Sequence, residues 1–163
     1  MIELKNITKI YNPGEVTEIS LFRDFSLKIE KGEFVSIVGS NGSGKTSLLN
    51  LICGSIPISK GEIHIGHRDV THLPEYKRYA RIGRVYQNPS MGTCGDLTIL
   101  ENMALADNKG KFFGLGRGVS PKKIHEYREQ LSVLGLGLEN KMDMAVGCLS
   151  GGQRQAMALL MTT

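Results

Sequence analysis

The chain has 163 residues, of which 40% are hydrophobic and 22% charged, and its formal net charge is +4. This composition predicts one soluble globular domain, large enough to bury a core. No apolar run approaches the roughly 18 residues of a membrane span, and the first residues alternate in polarity, unlike a signal peptide. We therefore expect a cytoplasmic protein, and the mild positive charge favours an anionic small ligand over nucleic acid.

The cysteines and histidines do not predict a metal site. Cys53, Cys94 and Cys148 are odd in number and widely spaced, which is typical of reduced thiols in a reducing compartment. His64 and His67 lie in a strand-and-turn segment, where their spacing does not bring both rings to one face.

The first third of the chain is predicted to be rich in strands. Apolar and polar residues alternate at 2–4 and again at 25–29. A turn is expected between them at 12–14, where the sequence is Asn-Pro-Gly. The apolar run at 33–38 is typical of a buried strand. Short strands are predicted at 2–4, 25–29, 33–38, 62–65 and 81–86.

A glycine-rich run at 39–46, Gly-Ser-Asn-Gly-Ser-Gly-Lys-Thr, fits the phosphate-binding pattern of Gly, four residues and Gly-Lys-Ser/Thr. Glycines let backbone N–H groups turn inward at positive φ, and a following helix adds its positive dipole end. Lys45 is expected to reach the β- and γ-phosphates, and the Thr46 hydroxyl to bind Mg²⁺. The residues predicted to bind the nucleotide here are Gly39, Ser40, Asn41, Gly42, Ser43, Gly44, Lys45, Thr46 and Ser47.

The segment after this run predicts a helix. Its apolar face is assigned to Leu48, Leu49, Leu51 and Ile52, and Gly54 is expected to end it. A strand, a glycine-rich loop and a helix in this order favour nucleotide binding. The alternative is a Gly/Ser surface turn without a ligand.

The second half of the chain changes to helical patterns. Thr98 and Glu101 form a capping box that opens a helix through Ala106. A loop rich in Gly, Lys and Arg is expected at 109–118, and Ser120-Pro121 predicts the capped start of a second helix. The apolar face of that helix is predicted from Ile124, Tyr127, Leu131 and Leu134, with Gly135 and Gly137 after it.

A second glycine motif opens the last helix. Ser150 and Gln153 have the spacing of a capping box, which by itself explains both residues. It does not explain Gly151 and Gly152, because each glycine in a first helical turn costs up to about 1 kcal/mol relative to alanine. Glycines are favoured there when a phosphate must approach the backbone closely.

The two glycine-assisted helix starts together resemble the ATP-binding subunits of ABC transporters, over essentially the whole chain. In that family the first motif is Walker A and the second is the signature Leu-Ser-Gly-Gly-Gln, intact here at 149–153. The resemblance implies an α/β fold with a P-loop NTPase core of ABC ATPase type, an N-terminal antiparallel β part and a helical insertion. It places the nucleotide-binding core at 1–87, the helical subdomain at 88–150 and the start of the signature helix at 150–163.

The same resemblance implies roles for residues outside the first loop. Tyr11 stands where the family has an aromatic ring stacked on adenine, and the alternative is an ordinary strand tyrosine. Gln87 matches the Q-loop glutamine, which reaches Mg²⁺ and the attacking water, and the alternative is a polar loop residue. The implied catalytic residues are thus Lys45 and Gln87, and the implied Mg²⁺ ligands are Thr46 and Gln87. The residues implied to face the γ-phosphate held by a second subunit are Ser150, Gly151, Gly152 and Gln153.

The implied cofactors are ATP and Mg²⁺. The implied partners are a second ATPase subunit in a head-to-tail dimer and transmembrane permease subunits, with no nucleic acid expected. This places the protein at the inner face of the cell membrane, and the compact single-cassette layout favours import. The basic segment 109–117 is interpreted as a solvated loop, with a permease contact as the alternative.

In the family, the signature helix leads into a Walker B strand that ends in Asp and Glu, and a switch histidine follows. None of these lies within the 163 residues. We therefore expect a fragment of a longer protein that does not hydrolyse ATP by itself. Without the Walker B strand, the core sheet is expected to expose apolar surface.

Two other functions stay open from the sequence. One is a soluble ABC ATPase of the translation or DNA-repair kind, although the short segment between 87 and 150 has no room for the long coiled coil that some of them carry. The other is a nucleotide-binding remnant without catalysis.

Overall fold

The computed structural model describes residues 1–111 and 118–162. They form two compact units, Met1–Arg81 and Ile82–Thr163, each with its own buried side chains. Within the described ranges, no helix combines the length and the apolar character needed to cross a membrane.

The first unit contains an antiparallel sheet of four strands in the order β2-β1-β3-β4. The strands are β1 Ile2–Tyr11, β2 Ile19–Ile29, β3 Lys60–Ile65 and β4 Arg68–Asp69. Leu4 of β1 lies between Leu27 and Ile63 of its two neighbours, and both Leu4 and Ile63 are fully buried. The structure confirms the strands predicted at 2–4, 25–29 and 62–65.

The connection between β1 and β2 begins with the turn predicted at 12–14. Asn12 and Gly14 have φ of 49° and 82°, in the left-handed region that asparagine and glycine tolerate best. The Asn12 side-chain amide donates to the Thr17 hydroxyl at 3.1 Å, and the Gly14 N–H donates to the Glu18 carboxylate at 2.8 Å. These bonds fix the end of β1.

The strands predicted at 33–38 and 81–86 are wrong. Neither segment pairs as a strand, and Phe34 and Val38 are 99% and 90% exposed. An apolar run forms a buried strand only when neighbouring strands take up its N–H and C=O groups and other elements cover its faces. No strand among the described residues pairs with 33–38, so these apolar side chains stay exposed.

Helix α1, Lys45–Cys53, follows the glycine-rich loop and ends at Gly54, as predicted. Gly54 has a φ of 86° and donates its N–H to the carbonyl oxygens of Asn50 and Leu51. Positive φ at this position explains the glycine.

The buried face of α1 differs from the predicted one at one position. It consists of Leu48, Leu51, Ile52 and Cys53. Leu49 is 46% exposed, so its assignment to this face is wrong. Cys53 is buried in its place, near the C-terminal end of the helix.

Arg78, the last residue of the short helix α2, Glu75–Arg78, holds the C-terminal end of α1. Its side chain is almost completely buried, and burial lowers the pKa of the guanidinium. The guanidinium donates to four carbonyl oxygens, those of Leu51 at 2.9 Å, Ile52 at 3.1 Å, Thr71 at 2.8 Å and Leu73 at 3.0 Å. A Cβ on Gly54 would come within 2.7 Å of Arg78 Nε, so the helix end is shaped around this arginine.

The second unit is mainly helical. Its α-helices are α3 Ile99–Asp107, α4 Ile124–Ser132 and α5 Gly151–Leu160. Single 3₁₀ turns lie at Pro89–Met91, Pro121–Lys123, Leu138–Asn140 and Val146–Cys148. The side chains at the centre of its core are Ile99, Met103, Tyr127, Leu131, Leu138, Val146 and Met157.

The start of α3 is the predicted capping box. The Thr98 hydroxyl accepts from the Glu101 N–H at 3.2 Å, and the Glu101 carboxylate accepts from the Thr98 N–H at 2.8 Å. Two hydrogen bonds lower the pKa of Glu101: the one from the Thr98 N–H has the larger effect, and the one from the Thr98 hydroxyl the smaller. The helix ends at Asp107, one residue later than predicted.

The second predicted helix, α4, is present with a different start. Ser120 and Pro121 occupy the predicted N-cap and first positions, but they open a 3₁₀ turn and the Ser120 side chain makes no capping hydrogen bond. The predicted apolar face is confirmed: Tyr127 and Leu131 are buried, and Ile124 and Leu134 pack against the same core.

The segment that precedes α3 is tied to the segment that precedes α5. Gly147 N–H donates to the Gly95 carbonyl at 2.8 Å, and Val146 N–H donates to the Leu97 carbonyl at 2.9 Å. The buried Asn102 side chain holds the same loop through the backbone N–H and C=O of Cys94, at 2.8 and 3.0 Å. The residues ahead of the second glycine motif are therefore part of a hydrogen-bonded frame.

None of the three cysteines, all of which lie in the described part of the chain, forms a disulfide bond: Cys53 is buried, and Cys94 and Cys148 are exposed. In the basic segment, the Lys109 ammonium donates to the Ile82 carbonyl at 2.8 Å, and burial lowers its pKa. The rest of the loop predicted at 109–117 falls mainly on 112–117, outside the described residues.

Asp107 and Tyr127 join the C-terminal end of α3 to α4. The Tyr127 hydroxyl donates to Asp107 Oδ2 at 3.1 Å, and Lys111 and Lys123 lie 3.4 and 3.8 Å from Oδ1 of the same carboxylate. The pKa of Tyr127 is raised from 10.0 to about 12, mainly by burial and secondly by the hydrogen bond to Asp107. The folded protein therefore keeps the phenol proton at pH values where the unfolded chain loses it.

This difference predicts that the free energy of unfolding falls as the pH rises from 10 to about 12. The Tyr127→Phe variant should lose about 1 kcal/mol at neutral pH, because one hydrogen bond is gone, and should show a weaker decline at high pH. Urea unfolding at about pH 9 and about pH 11 measures both effects. Tyr76→Phe is the control, since Tyr76 is 70% exposed. An unchanged decline in Tyr127→Phe would contradict the assignment.

Candidate functional site

The glycine-rich loop 39–46 runs directly into α1. Gly42 and Gly44 have φ of 82° and 89°, and Gly44 is the N-terminal cap of the helix. The first N–H groups of α1 have no acceptor within the helix. Together these features give a turn of backbone donors at the positive end of a helix dipole, which is an arrangement that binds anions.

The Lys45 ammonium is hydrogen-bonded to residues of this loop. It donates to the carbonyl oxygens of Gly39 and Ser40 at 2.8 and 2.7 Å, and to the Ser43 hydroxyl at 3.3 Å. All three acceptors are neutral, so a doubly or triply charged phosphate chain is a stronger partner for this cation. Lys45 can therefore exchange the loop for an anionic ligand.

Two glycines of the loop have close neighbours at the position of a Cβ. A Cβ on Gly39 would lie 2.6 Å from the Ser43 hydroxyl oxygen, which is too short for any contact. A Cβ on Gly44 would lie 3.3 Å from the Leu21 side chain and 3.4 Å from Phe22, both in β2. The sheet therefore lies directly behind the loop and supports it.

Tyr11 is near the same part of the sheet. It ends β1 opposite Ile19, and Lys9 pairs with Phe22, the residue beside Gly44. The Lys9 ammonium lies 4.7 Å from the centre of the Tyr11 ring, within range of a cation–π interaction. Sequence reasoning missed Lys9, although its position two residues before Tyr11 on a strand places both side chains on one face.

Thr46 is the candidate metal ligand in the first unit. It is exposed at the second position of α1, and its hydroxyl makes no hydrogen bond to any part of the chain that the structure describes. A hydroxyl oxygen is a hard ligand of the kind Mg²⁺ prefers, and Mg²⁺ at phosphates keeps several waters and few protein ligands. The residues present therefore fit Mg²⁺ bound together with a phosphate chain.

Gln87 and the second glycine motif belong to the second unit. Gln87 is exposed and stands just before the 3₁₀ turn Pro89–Met91, where the Asn88 side chain accepts from the Ser90 N–H at 3.0 Å. This cap fixes the backbone that follows Gln87.

Ser150 and Gln153 form the predicted capping box of α5. Ser150 Oγ accepts from the Gln153 N–H at 3.3 Å, and Gln153 Oε1 accepts from the Ser150 N–H at 3.1 Å. Gly151 and Gly152 are exposed, and a Cβ on either would meet no described atom within 4 Å. Packing within the chain therefore does not explain the two glycines, which leave the N-terminal end of α5 open to a ligand.

Comparison with known proteins decides the family. The family described as "ABC transporter" matches residues 22–163, which include both glycine motifs. The chain belongs to the ABC transporter family. Its ATPase fold is confirmed by a solved dimer of an ATP-binding cassette in a post-hydrolysis state, bound to ADP and Pi. That cassette matches with a TM-score of 0.76 and 32% identity, over 99% of this chain and 68% of the other.

Curated relatives in the ABC transporter family are similar over almost the whole chain. The tyrosine transport ATP-binding protein of Clostridioides difficile strain R20291 is 44% identical over 165 residues. The spermidine/putrescine import ATP-binding protein PotA of Aggregatibacter actinomycetemcomitans is 33% identical, and the ribose import ATP-binding protein RbsA of Lactococcus lactis subsp. cremoris is 34% identical. The chain covers 64%, 38% and 30% of these three relatives, and they cover 100%, 98% and 97% of it.

Sequence reasoning also missed Arg154, whose side chain makes three hydrogen bonds. It directly follows the signature motif, and its guanidinium donates to Ser90, Val146 and Gly147. Two of its acceptors precede it by only eight and seven residues, but Ser90 is 64 residues away, and no local pattern in the sequence indicates that contact.

Proposed function

We propose that this chain binds ATP with Mg²⁺ at the loop 39–46. The observation that carries the proposal is the loop geometry: left-handed Gly42 and Gly44, the N-terminal end of α1 and the Lys45 ammonium all lie within it. These are the donors that a nucleotide triphosphate requires.

Each residue of the loop region has a separate task in this proposal. Lys45 leaves its three neutral acceptors and binds oxygens of the β- and γ-phosphates. Thr46 offers its hydroxyl to Mg²⁺, and the bound ion neutralises charge on the same phosphates. Tyr11 offers one ring face to the base, with Lys9 on the ring as the second partner.

In the second unit, we assign Gln87 to Mg²⁺ and the attacking water, and Ser150–Gln153 to the γ-phosphate held by a second subunit. The open surroundings of Gly151 and Gly152 support an approach to α5 from outside the chain. The solved relatives of this fold include dimeric cassettes, which supports the pairing of two subunits.

We propose that the pair couples ATP hydrolysis to import through transmembrane permease subunits at the inner face of the membrane. The relatives are described as proteins of tyrosine, spermidine/putrescine and ribose transport. Similar ATPase chains thus serve three chemically different substrates. We therefore assign substrate choice to the permease and not to this chain.

The decisive experiment for nucleotide binding is calorimetric titration of the protein with ATP, with and without Mg²⁺. We expect one site per chain and tighter binding with Mg²⁺. The affinity for AMP should be lower than that for ATP by a factor of about 100 or more, because AMP has no β- and γ-phosphates for Lys45. Equal affinity for AMP and ATP, or no binding of either, would refute the proposal.

We further propose that residues 1–163 bind ATP without sustained hydrolysis, because the Walker B Asp and Glu and the switch histidine of the family are not among them. A phosphate-release assay on this chain tests it, with Lys45→Met as the control for contaminating ATPases. Steady release that disappears in Lys45→Met would show that the chain hydrolyses ATP alone.

A further inference from the structure

The segment that carries Gln87 lies along one face of α5. Arg154, Ala158 and Thr162 follow one another at four-residue spacing, which keeps them on the same side of a helix and of the turn that continues it. Each meets a different part of 83–92. Residues before and after Gln87 are therefore both attached to the helix that begins with the signature motif.

Two of the three contacts are made at glycines, and one of them requires glycine. A Cβ on Gly83 would lie 2.6 Å from the Cβ of Thr162, so the backbone approaches the end of α5 too closely for any side chain. A Cβ on Gly92 would lie 3.7 Å from the Cβ of Ala158, an ordinary packing distance. Small residues thus let the segment lie directly on the helix.

The third contact is polar and is made by Arg154. Its Nη1 donates to the Ser90 hydroxyl at 2.8 Å, and its Nη2 donates to the carbonyl oxygens of Val146 and Gly147 at 3.0 and 2.9 Å. Its Nε is buried and meets no acceptor in the described part of the chain. The planar guanidinium therefore joins three segments: the turn after Gln87, the turn before the signature motif, and α5 itself.

We infer that Arg154 is a positioning residue that makes the Gln87 segment and the signature motif move as one body. The inference rests on the proposed function, in which Gln87 responds to the nucleotide of its own subunit and Ser150–Gln153 contact the nucleotide of the other. A shift at Gln87 then reaches the signature motif through Ser90 and Arg154. A lysine replaces this arginine only in part. The two Nη atoms of the planar guanidinium reach separate acceptors, and a single ammonium nitrogen does not reach all of them at once.

Hydrogen–deuterium exchange with and without ATP and Mg²⁺ tests the inference on this chain. In the unmodified protein, we expect ATP to slow exchange in the loop 39–46, in 87–92 and, by about fivefold or more, in 146–154. In Arg154→Met and in Ser90→Ala, the first two effects should persist while the change at 146–154 drops to about twofold or less. In Arg154→Lys, the change at 146–154 should lie between those of the unmodified protein and of Arg154→Met. Arg128→Met serves as the matched control, because Arg128 is exposed.

The outcomes separate the two proposals. No ATP effect in the loop 39–46 refutes the proposed nucleotide site. Protection of the loop without any change at 146–154, or a change that persists in both variants, overturns the role of Arg154. Combining Ser90→Ala with Arg154→Met should add nothing to the loss in Arg154→Met alone, because both act on one link. If Arg154→Met does not fold, Ser90→Ala alone decides, since it leaves the two carbonyl contacts in place.

Discussion

Replacement of Lys45 by methionine is expected to weaken the binding of ATP with Mg²⁺ about 100-fold. In the proposed site the ammonium makes hydrogen bonds to oxygens of the β- and γ-phosphates, and two bonds to charged groups contribute about 3 kcal/mol together. Each 1.4 kcal/mol corresponds to about a factor of ten in Kd. Methionine keeps the length and the apolar stem of lysine, so the helix start is preserved.

Titration calorimetry with ATP and Mg²⁺ measures this loss. The control is Lys31→Met, because Lys31 is an exposed lysine of the same unit that lies outside the loop. Thermal unfolding of both variants should match that of the unmodified protein within a few degrees. If Lys45→Met binds ATP as well as Lys31→Met does, Lys45 does not reach the phosphates and the proposed site is wrong.

A third variant separates the phosphate contact from the metal contact. Thr46→Ala removes a hydroxyl that makes no hydrogen bond within the described chain, so its folding should be unaffected. Its ATP affinity should lose much of the gain that Mg²⁺ provides, while affinity without Mg²⁺ stays close to normal. This pattern differs from that of Lys45→Met, which loses affinity under both conditions.

The loop and the signature could be predicted from the sequence because their conformations are set locally. Positive φ at Gly42 and Gly44 follows from the absence of a Cβ, and the two capping boxes connect residues only three positions apart. Gly54 as a helix stop is equally local. Such features need no knowledge of the rest of the fold, which is why pattern reasoning located them.

The strand predicted at 33–38 is wrong for the opposite reason. Its apolar composition is typical of a buried parallel strand, but a strand needs hydrogen-bonding partners that its own sequence does not supply. The same holds for the arginines. Arg78 reaches Leu51, which is 27 residues away, and Arg154 reaches Ser90, which is 64 residues away. No local pattern predicts contacts of this length.

Replacement of Arg78 by methionine is expected to be the most destabilising of these changes, by about 3 kcal/mol or more. It removes the arginine donor from four carbonyl groups, of which, within the described chain, only that of Leu51 keeps a backbone donor, the Gly54 N–H. A buried polar group that loses its partner costs about 1–3 kcal/mol. Some of the four regain a partner from water that enters the space, which keeps the total below the simple sum. Arg78→Lys should lose less, because an ammonium has three donors.

Urea unfolding of Arg78→Met and of Arg81→Met measures the effect, since Arg81 is exposed and only three residues away. Arg81→Met should unfold at nearly the urea concentration of the unmodified protein. Equal midpoints for the two variants would show that the buried hydrogen bonds of Arg78 contribute little.

The two predictions meet in α1, because Lys45 begins this helix and Arg78 holds its end. A ligand that binds only the folded chain adds about 2.7 kcal/mol of stability at 100 times its Kd. ATP with Mg²⁺ should therefore restore most of the unfolding midpoint that Arg78→Met loses. The double variant with Lys45→Met should gain almost nothing from the same concentration of ATP. Rescue of the double variant would mean that ATP stabilises the protein at another site.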